Sequence, residues 1–143
     1  MTASMNNPLA QLRAHSAAVV ATSRKTVQQF AEKLAQDPAH AFGWADNAYY
    51  AAAQLKMYGA LECTLSRMLE GELKVHGRDV SLVEALRLLH AQHTDLALRA
   101  ARWPARSPSP SANQIEADTA RAAAEIAELI GHELDAARRA AQV

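Results

Sequence analysis

The chain has 143 residues with 15 basic and 15 acidic side chains, so its formal charge at pH 7 is zero and no global field favours nucleic acid or an anionic membrane. That length suits one domain able to bury a core without staples, and the lone Cys63 has neither a disulfide partner nor a second cysteine for a zinc-type pair. No apolar run approaches the roughly 18 residues that span a bilayer, and no charged stretch followed by an apolar one opens the chain as a secretory leader would, so cytoplasmic residence is the expectation.

Alanine makes up almost a quarter of the chain, glycine is scarce, and β-branched and aromatic residues are too few for strands. Propensity therefore favours helix nearly everywhere. Arginine outnumbers lysine, and with the alanine excess this is the composition expected of a GC-rich bacterial genome.

Asn7 before Pro8 reads as an N-cap with proline at the first helical position, and the spacing predicts a helix over 8–36, stopped by Asp37-Pro38. Its apolar face is Leu9, Leu12, Val19, Val20, Val27, Phe30 and Leu34. A second helix is predicted over 45–73, with Tyr50, Met57, Tyr58, Leu61, Leu65, Met68 and Leu69 inward. Gly59 inside it implies either a neighbouring backbone passing close or a bend. Residues 75–79 read as a turn around Gly77. Ser81 and Glu84 then form an S-x-x-E capping box for a third helix over 82–103, where Leu82, Leu86, Leu89, His93, Leu96, Ala100 and Trp103 make a heptad seam. Pro104 ends that helix, residues 104–111 form an extended polar linker, and Ser111 with Gln114 offers a capping box for a last helix over 112–141.

The turns between the first three helices are short, which makes consecutive helices antiparallel. Charge gives a second indication of topology. The first segment carries Arg13, Arg24, Lys25 and Lys33 against Glu32 and Asp37, and the second carries Lys56 and Arg67 against Asp46, Glu62, Glu70 and Glu72. The third is basic, with Lys74, Arg78, Arg87, Arg99, Arg102 and Arg106 against Asp79, Glu84 and Asp95. The fourth is acidic, with Glu116, Asp118, Glu125, Glu128, Glu133 and Asp135 against Arg121, Arg138 and Arg139. The signs alternate along the chain. The expected fold is all-α, an antiparallel up-down-up-down four-helix bundle formed by one domain over 1–143, with the fourth helix closing on the first and opposite charges at every lateral interface.

Familiar catalytic and cofactor signatures are missing, and no Glu stands three residues before a His, the spacing that di-iron bundles use. No metal, cofactor or catalytic residue is expected. Counting along the helices sets His93 level with Ser16 and Leu61, and Gln54 level with Ser23. Ser16, Ser23, Asn47, Gln54, His93 and Thr119 thus make a candidate polar lining, either for a small ligand or metal around His93 or, structurally, as hydrogen bonds that fix register or as the seam with a second copy of the bundle. The structural readings are preferred.

Five of the seven aromatics, Phe42, Trp44, Tyr49, Tyr50 and Tyr58, fall in one short window. Trp44, Tyr49, Tyr50 and Trp103 are the candidate interface, because Trp and Tyr join large apolar area to a hydrogen-bonding end. The reading slightly preferred to this is that they cap the end of the bundle where the first turn folds over. Arg99, Arg102, Trp103 and Arg106 cluster beside Ser-Pro residues, but a neutral chain argues against nucleic-acid binding. These features point to a non-enzymatic bundle acting through protein–protein contacts, as a homo-oligomer or with another protein partner. A small-ligand-binding bundle is the alternative, and a phasin-like surface-coating protein is a further one, although no motif here resembles the phasins.

Overall fold

A computed structural model describes residues 7–71, 73–75, 77–102 and 110–142. Helix α1 is Pro8–Gln36, a single turn α2 is Pro38–Ala41, and a tighter helical turn over Phe42–Trp44 leads into α3, Ala45–Glu70. Two short strands, β1 (Lys74–Val75) and β2 (Arg78–Asp79), precede α4, Leu82–Arg102, and α5, Pro110–Ala141. The four long helices run up, down, up and down, so the fold is an all-α antiparallel four-helix bundle.

Local chemistry sets the helix ends. The Asn7 side chain accepts from the Leu9 amide at 3.0 Å, with Pro8 opening α1, whose missing N–H would have had no partner there. Asp37 ends α1 and caps α2, accepting from the His40 amide at 3.5 Å. The predicted turn after Asp37 is thus helical almost throughout. Ser81 caps α4, its Oγ accepting from the Glu84 amide at 3.1 Å. The reciprocal half of that capping box does not form, because the Glu84 carboxylate is held by Arg87 through bonds of 2.9 and 2.7 Å. Helix α5 starts at Pro110, ahead of the predicted Ser111 cap, and Gln114 donates forward to Asp118 Oδ1 at 3.0 Å.

Three further expectations need correction. Helix α3 stops at Glu70 rather than residue 73, and Gly71 follows it in an extended conformation. The next turn is a small antiparallel ribbon, Lys74 opposite Asp79 and Val75 opposite Arg78, made possible by Gly77 at φ 76°, a region that only glycine enters without strain. Of the two expectations for Gly59, the close approach fails, since an added methyl there would meet nothing within 4 Å. The close approach is instead at Gly131, where a methyl would lie 3.3 Å from His90 Nε2.

The packing is that of two antiparallel hairpins. Helices α1 and α3 pack along their length, as do α4 and α5, and the hairpins meet chiefly along α3 and α5. Contact between α1 and α5 is slight, so the fourth helix leans on the second instead of closing fully on the first. Alanines buried at 48, 51 and 53 on α3 and at 122, 123 and 127 on α5 supply the small side chains that let backbones come close. Each hairpin therefore joins segments of opposite net charge, whereas the seam between hairpins joins two acidic segments. The core is continuous, with Leu9 and Leu12 of α1, Leu61 and Leu65 of α3, Leu86 and Leu89 of α4, and Ile126, Ile130 and Leu134 of α5.

Candidate functional site

Of the six candidate lining residues, three gather at one place and three do not. Ser16 is fully buried and donates to the Leu12 carbonyl of its own helix at 2.7 Å. Buried His93 likewise turns Nδ1 to the Leu89 carbonyl at 2.8 Å, and Thr119 donates to the Ile115 carbonyl at 2.7 Å. Each satisfies its polarity one turn back along its own helix, which is how an inward polar side chain is tolerated without an interhelical partner. Burial lowers the pKa of His93, its bond to the Leu89 carbonyl opposes the shift, and His90 adds to it. The imidazole is thereby favoured in its neutral form.

Ser23, Asn47 and Gln54 belong to a second locality. Ser23 Oγ donates to Gln54 Oε1 at 3.3 Å and fixes α1 against α3. Above this contact a cleft of about 340 Å³ opens between the two helices, lined by Thr26, Gln29, Phe30 and Lys33 of α1 and by Trp44, Asn47, Tyr50, Ala51 and Gln54 of α3 and the turn before it. On α1 the lining residues recur at steps of three, one and three, which is one face of a helix. The Lys33 ammonium lies 3.8 Å from the centre of the Trp44 ring, a cation–π contact, and Lys33 is the sole charged side chain of the lining. Two of the candidate interface aromatics, Trp44 and Tyr50, thus share a cleft with two of the lining carboxamides. Trp44 is 49% exposed and Phe42 73%, so neither is folded away as an end cap. Tyr49 is also exposed, while Trp103 and residues 104–109 of the predicted linker lie outside the described residues.

Tyr50 connects the cleft to a cluster that the sequence did not single out. Its hydroxyl donates to Glu125 Oε1, and Tyr58 donates to Glu125 Oε2 at 3.5 Å. The Arg121 guanidinium sits 4.0 Å over the Tyr50 ring, with its Nε 3.9 Å from the Glu125 carboxylate. Burial raises the pKa of Glu125, with Glu128 adding to it, and burial also raises that of Tyr58. His15 completes the cluster, its ring 6.1 Å from that of Tyr58 and tilted by 59°. The available signal was the pair Tyr50 and Tyr58, both on the inward face of α3, since each buried hydroxyl requires an acceptor. That acceptor is a carboxylate within the alanine run of α5. The arrangement ties the hairpins together and contains no activated nucleophile.

No group of three His, Cys, Asp or Glu side chains converges as a metal site among the described residues, and no described helix is long and apolar enough to cross a membrane. Comparison with known proteins gives no match to a family model, a curated protein or a solved structure, so this geometry alone bears on function.

Proposed function

We propose that this protein is a non-enzymatic helical bundle that works through protein–protein contacts and assembles with copies of itself. One observation carries the reading. The large apolar side chains left exposed among the described residues are Leu34, Phe42, Trp44, Tyr49, Leu96, Leu98 and Ile115, and all of them fall in the half of the bundle nearer the first turn. Large core side chains such as Leu9, Leu65, Leu86, Ile130 and Leu134 fill the other half. Scattered apolar residues are ordinary on a surface, but their concentration at one end, with Trp and Tyr among them, is what a contact region looks like.

A small-ligand role for the residues around His93 has less support, because Ser16, Thr119 and Nδ1 of His93 already bond carbonyls of their own helices. Composition and the lone cysteine support a bacterial, cytoplasmic setting. Native mass spectrometry of the purified chain and capture from host extract test the contact reading together. Assemblies above the 15.5 kDa monomer, lost in a Phe42→Ser/Trp44→Ser variant that keeps its helicity, are expected. A protein that stays monomeric and captures nothing would refute it.

A further inference from the structure

We infer that the cleft between α1 and α3 is a binding site for a small planar aromatic carboxylate, a one- or two-ring molecule bearing a single acid group. The ring lies among Phe30, Trp44 and Tyr50, and the acid group pairs with Lys33 and accepts from the carboxamides of Asn47 and Gln54. The inference goes beyond the contact reading and does not depend on it, since Leu34, Phe42 and Tyr49, exposed apolar residues on which that reading also rests, do not line the cleft.

Size and depth set the first limit. A volume of about 340 Å³ is at the small end of the range that ligand sites occupy, so it suits a molecule of one or two rings. The floor is closed. Ala51 is buried there, and the Ser23 bond to Gln54 joins α1 to α3 beneath the opening.

The walls are held before any ligand arrives. The Tyr50 hydroxyl is taken by Glu125, and the Arg121 guanidinium lies 4.0 Å from the centre of its ring, so α5 fixes Tyr50 and leaves the cleft an aromatic surface. Trp44 is held in turn by the Lys33 ammonium at 3.8 Å. Side chains already ordered lose little entropy on binding. Three aromatic side chains around so small a space favour a ring over an alkyl chain, because ring pairs contribute beyond the area they bury.

Charge and hydrogen bonding select the polar group. Lys33 is the sole charged residue of the lining, and no carboxylate lines the cleft to neutralise it. The face of Trp44 occupies part of the ammonium and leaves it N–H donors to give. Asn47 is exposed, and the hydrogen bond of Gln54 to Ser23 uses its carbonyl oxygen, so both carboxamides have an NH₂ group to offer. One cation matches one negative charge, and neighbouring N–H donors match the paired oxygens of a carboxylate. A cationic ligand would be repelled by Lys33, and a neutral one would forgo the strongest interaction that the cleft offers.

The test titrates the full chain with three probes: naphthoate, its neutral isostere naphthamide, and the ring-free anion hexanoate. Isothermal titration calorimetry gives affinities, NMR follows the carboxamide signals of Asn47 and Gln54 and the indole signal of Trp44, and circular dichroism confirms that each variant is folded. Naphthoate is expected to move those signals and to bind about tenfold more tightly than either other probe, the gain of one charge-assisted contact or of the ring. Lys33→Met, which keeps the stem and removes the charge, should weaken naphthoate about tenfold and leave naphthamide unchanged. Lys33→Arg should retain the preference for the acid, and Trp44→Leu should weaken both ring probes. A purely structural Lys33 would instead weaken acid and amide alike in Lys33→Met. That result overturns the assignment, as do equal affinities for acid and amide in the wild type, signal changes confined to other parts of the bundle, and the absence of binding at millimolar naphthoate.

Discussion

Ser81 and His93 show how single polar side chains can do opposite work on one helix. Ser81 satisfies an amide that the first turn of α4 leaves without a partner, so Ser81→Ala should cost about 1 kcal/mol, read as a lower denaturation midpoint at unchanged slope. Glu84→Gln should cost much less, because Glu84 pairs with Arg87 on an exposed surface and does not reach back to the cap. His93 stabilises nothing outside its own helix. His93→Leu should leave the melting temperature at neutral pH unchanged or higher, since the Leu89 carbonyl retains its helical hydrogen bond and the buried site gains an apolar side chain. The pH dependence follows from the lowered pKa. The unfolded chain takes up a proton near the ordinary value of 6.5 while folded His93 resists it, so the wild type loses stability as pH falls from that value through the folded one. Melts at about pH 7 and about pH 5 should show this component in the wild type and its loss in His93→Leu.

At the scale of elements, the two helical glycines lie in different surroundings. Gly59 has open space, so Gly59→Ala should raise stability by about 1 kcal/mol through helix propensity alone. Gly131→Ala should gain less, because its methyl crowds the His90 imidazole at 3.3 Å. Parallel thermal melts of the two variants decide the order. Nothing in the sequence distinguished these positions, because the difference lies in what the neighbouring helix presents. The α1 start at Asn7-Pro8 and the Ser81 cap were legible because they depend on residues within four positions of each other. The Ser23 to Gln54 contact was legible because a single antiparallel register relates α1 to α3. The Glu125 cluster was not, since it needs α5 to lie against α3, a choice made by alanine packing that periodicity and net charge do not encode. The Lys33 and Trp44 contact depended likewise on how the turn through α2 swings the ring back over α1.

For the whole molecule, joining two hairpins through α3 and α5 has an electrostatic cost. Burial in the seam raises the pKa of Glu125, and Glu128 of the same helix adds to it. A carboxyl whose folded pKa is raised stabilises the fold fully below its unfolded value of 4.5 and loses that contribution as pH climbs through the folded value. Glu125→Gln keeps one carbonyl acceptor, for either Tyr50 or Tyr58, and carries no charge at any pH. Relative to the wild type, it should therefore grow more stable as pH rises through that range, with chemical denaturation at a series of pH values as the measure. A variant that instead tracks the wild type throughout would mean that the seam carries the charge without strain.

The same division into hairpins sets an order of events in folding. Each hairpin is closed by a short connection and needs only contacts that are near in sequence, so the α1/α3 and α4/α5 pairs can form fast and independently, and the α3 against α5 seam is the long-range step that follows. Once assembled, the parts of the bundle are not equally secure. The upper stretch of α1, residues 24–36, has no buried residue and packs against α3 and the turn through Trp44, whereas α5 is gripped by two helices. Amides on that stretch should exchange with solvent through local opening well before those around Ile126 and Ile130, which wait for global unfolding. The α1 wall of the cleft thus opens more readily than the described core on which the rest of the bundle closes.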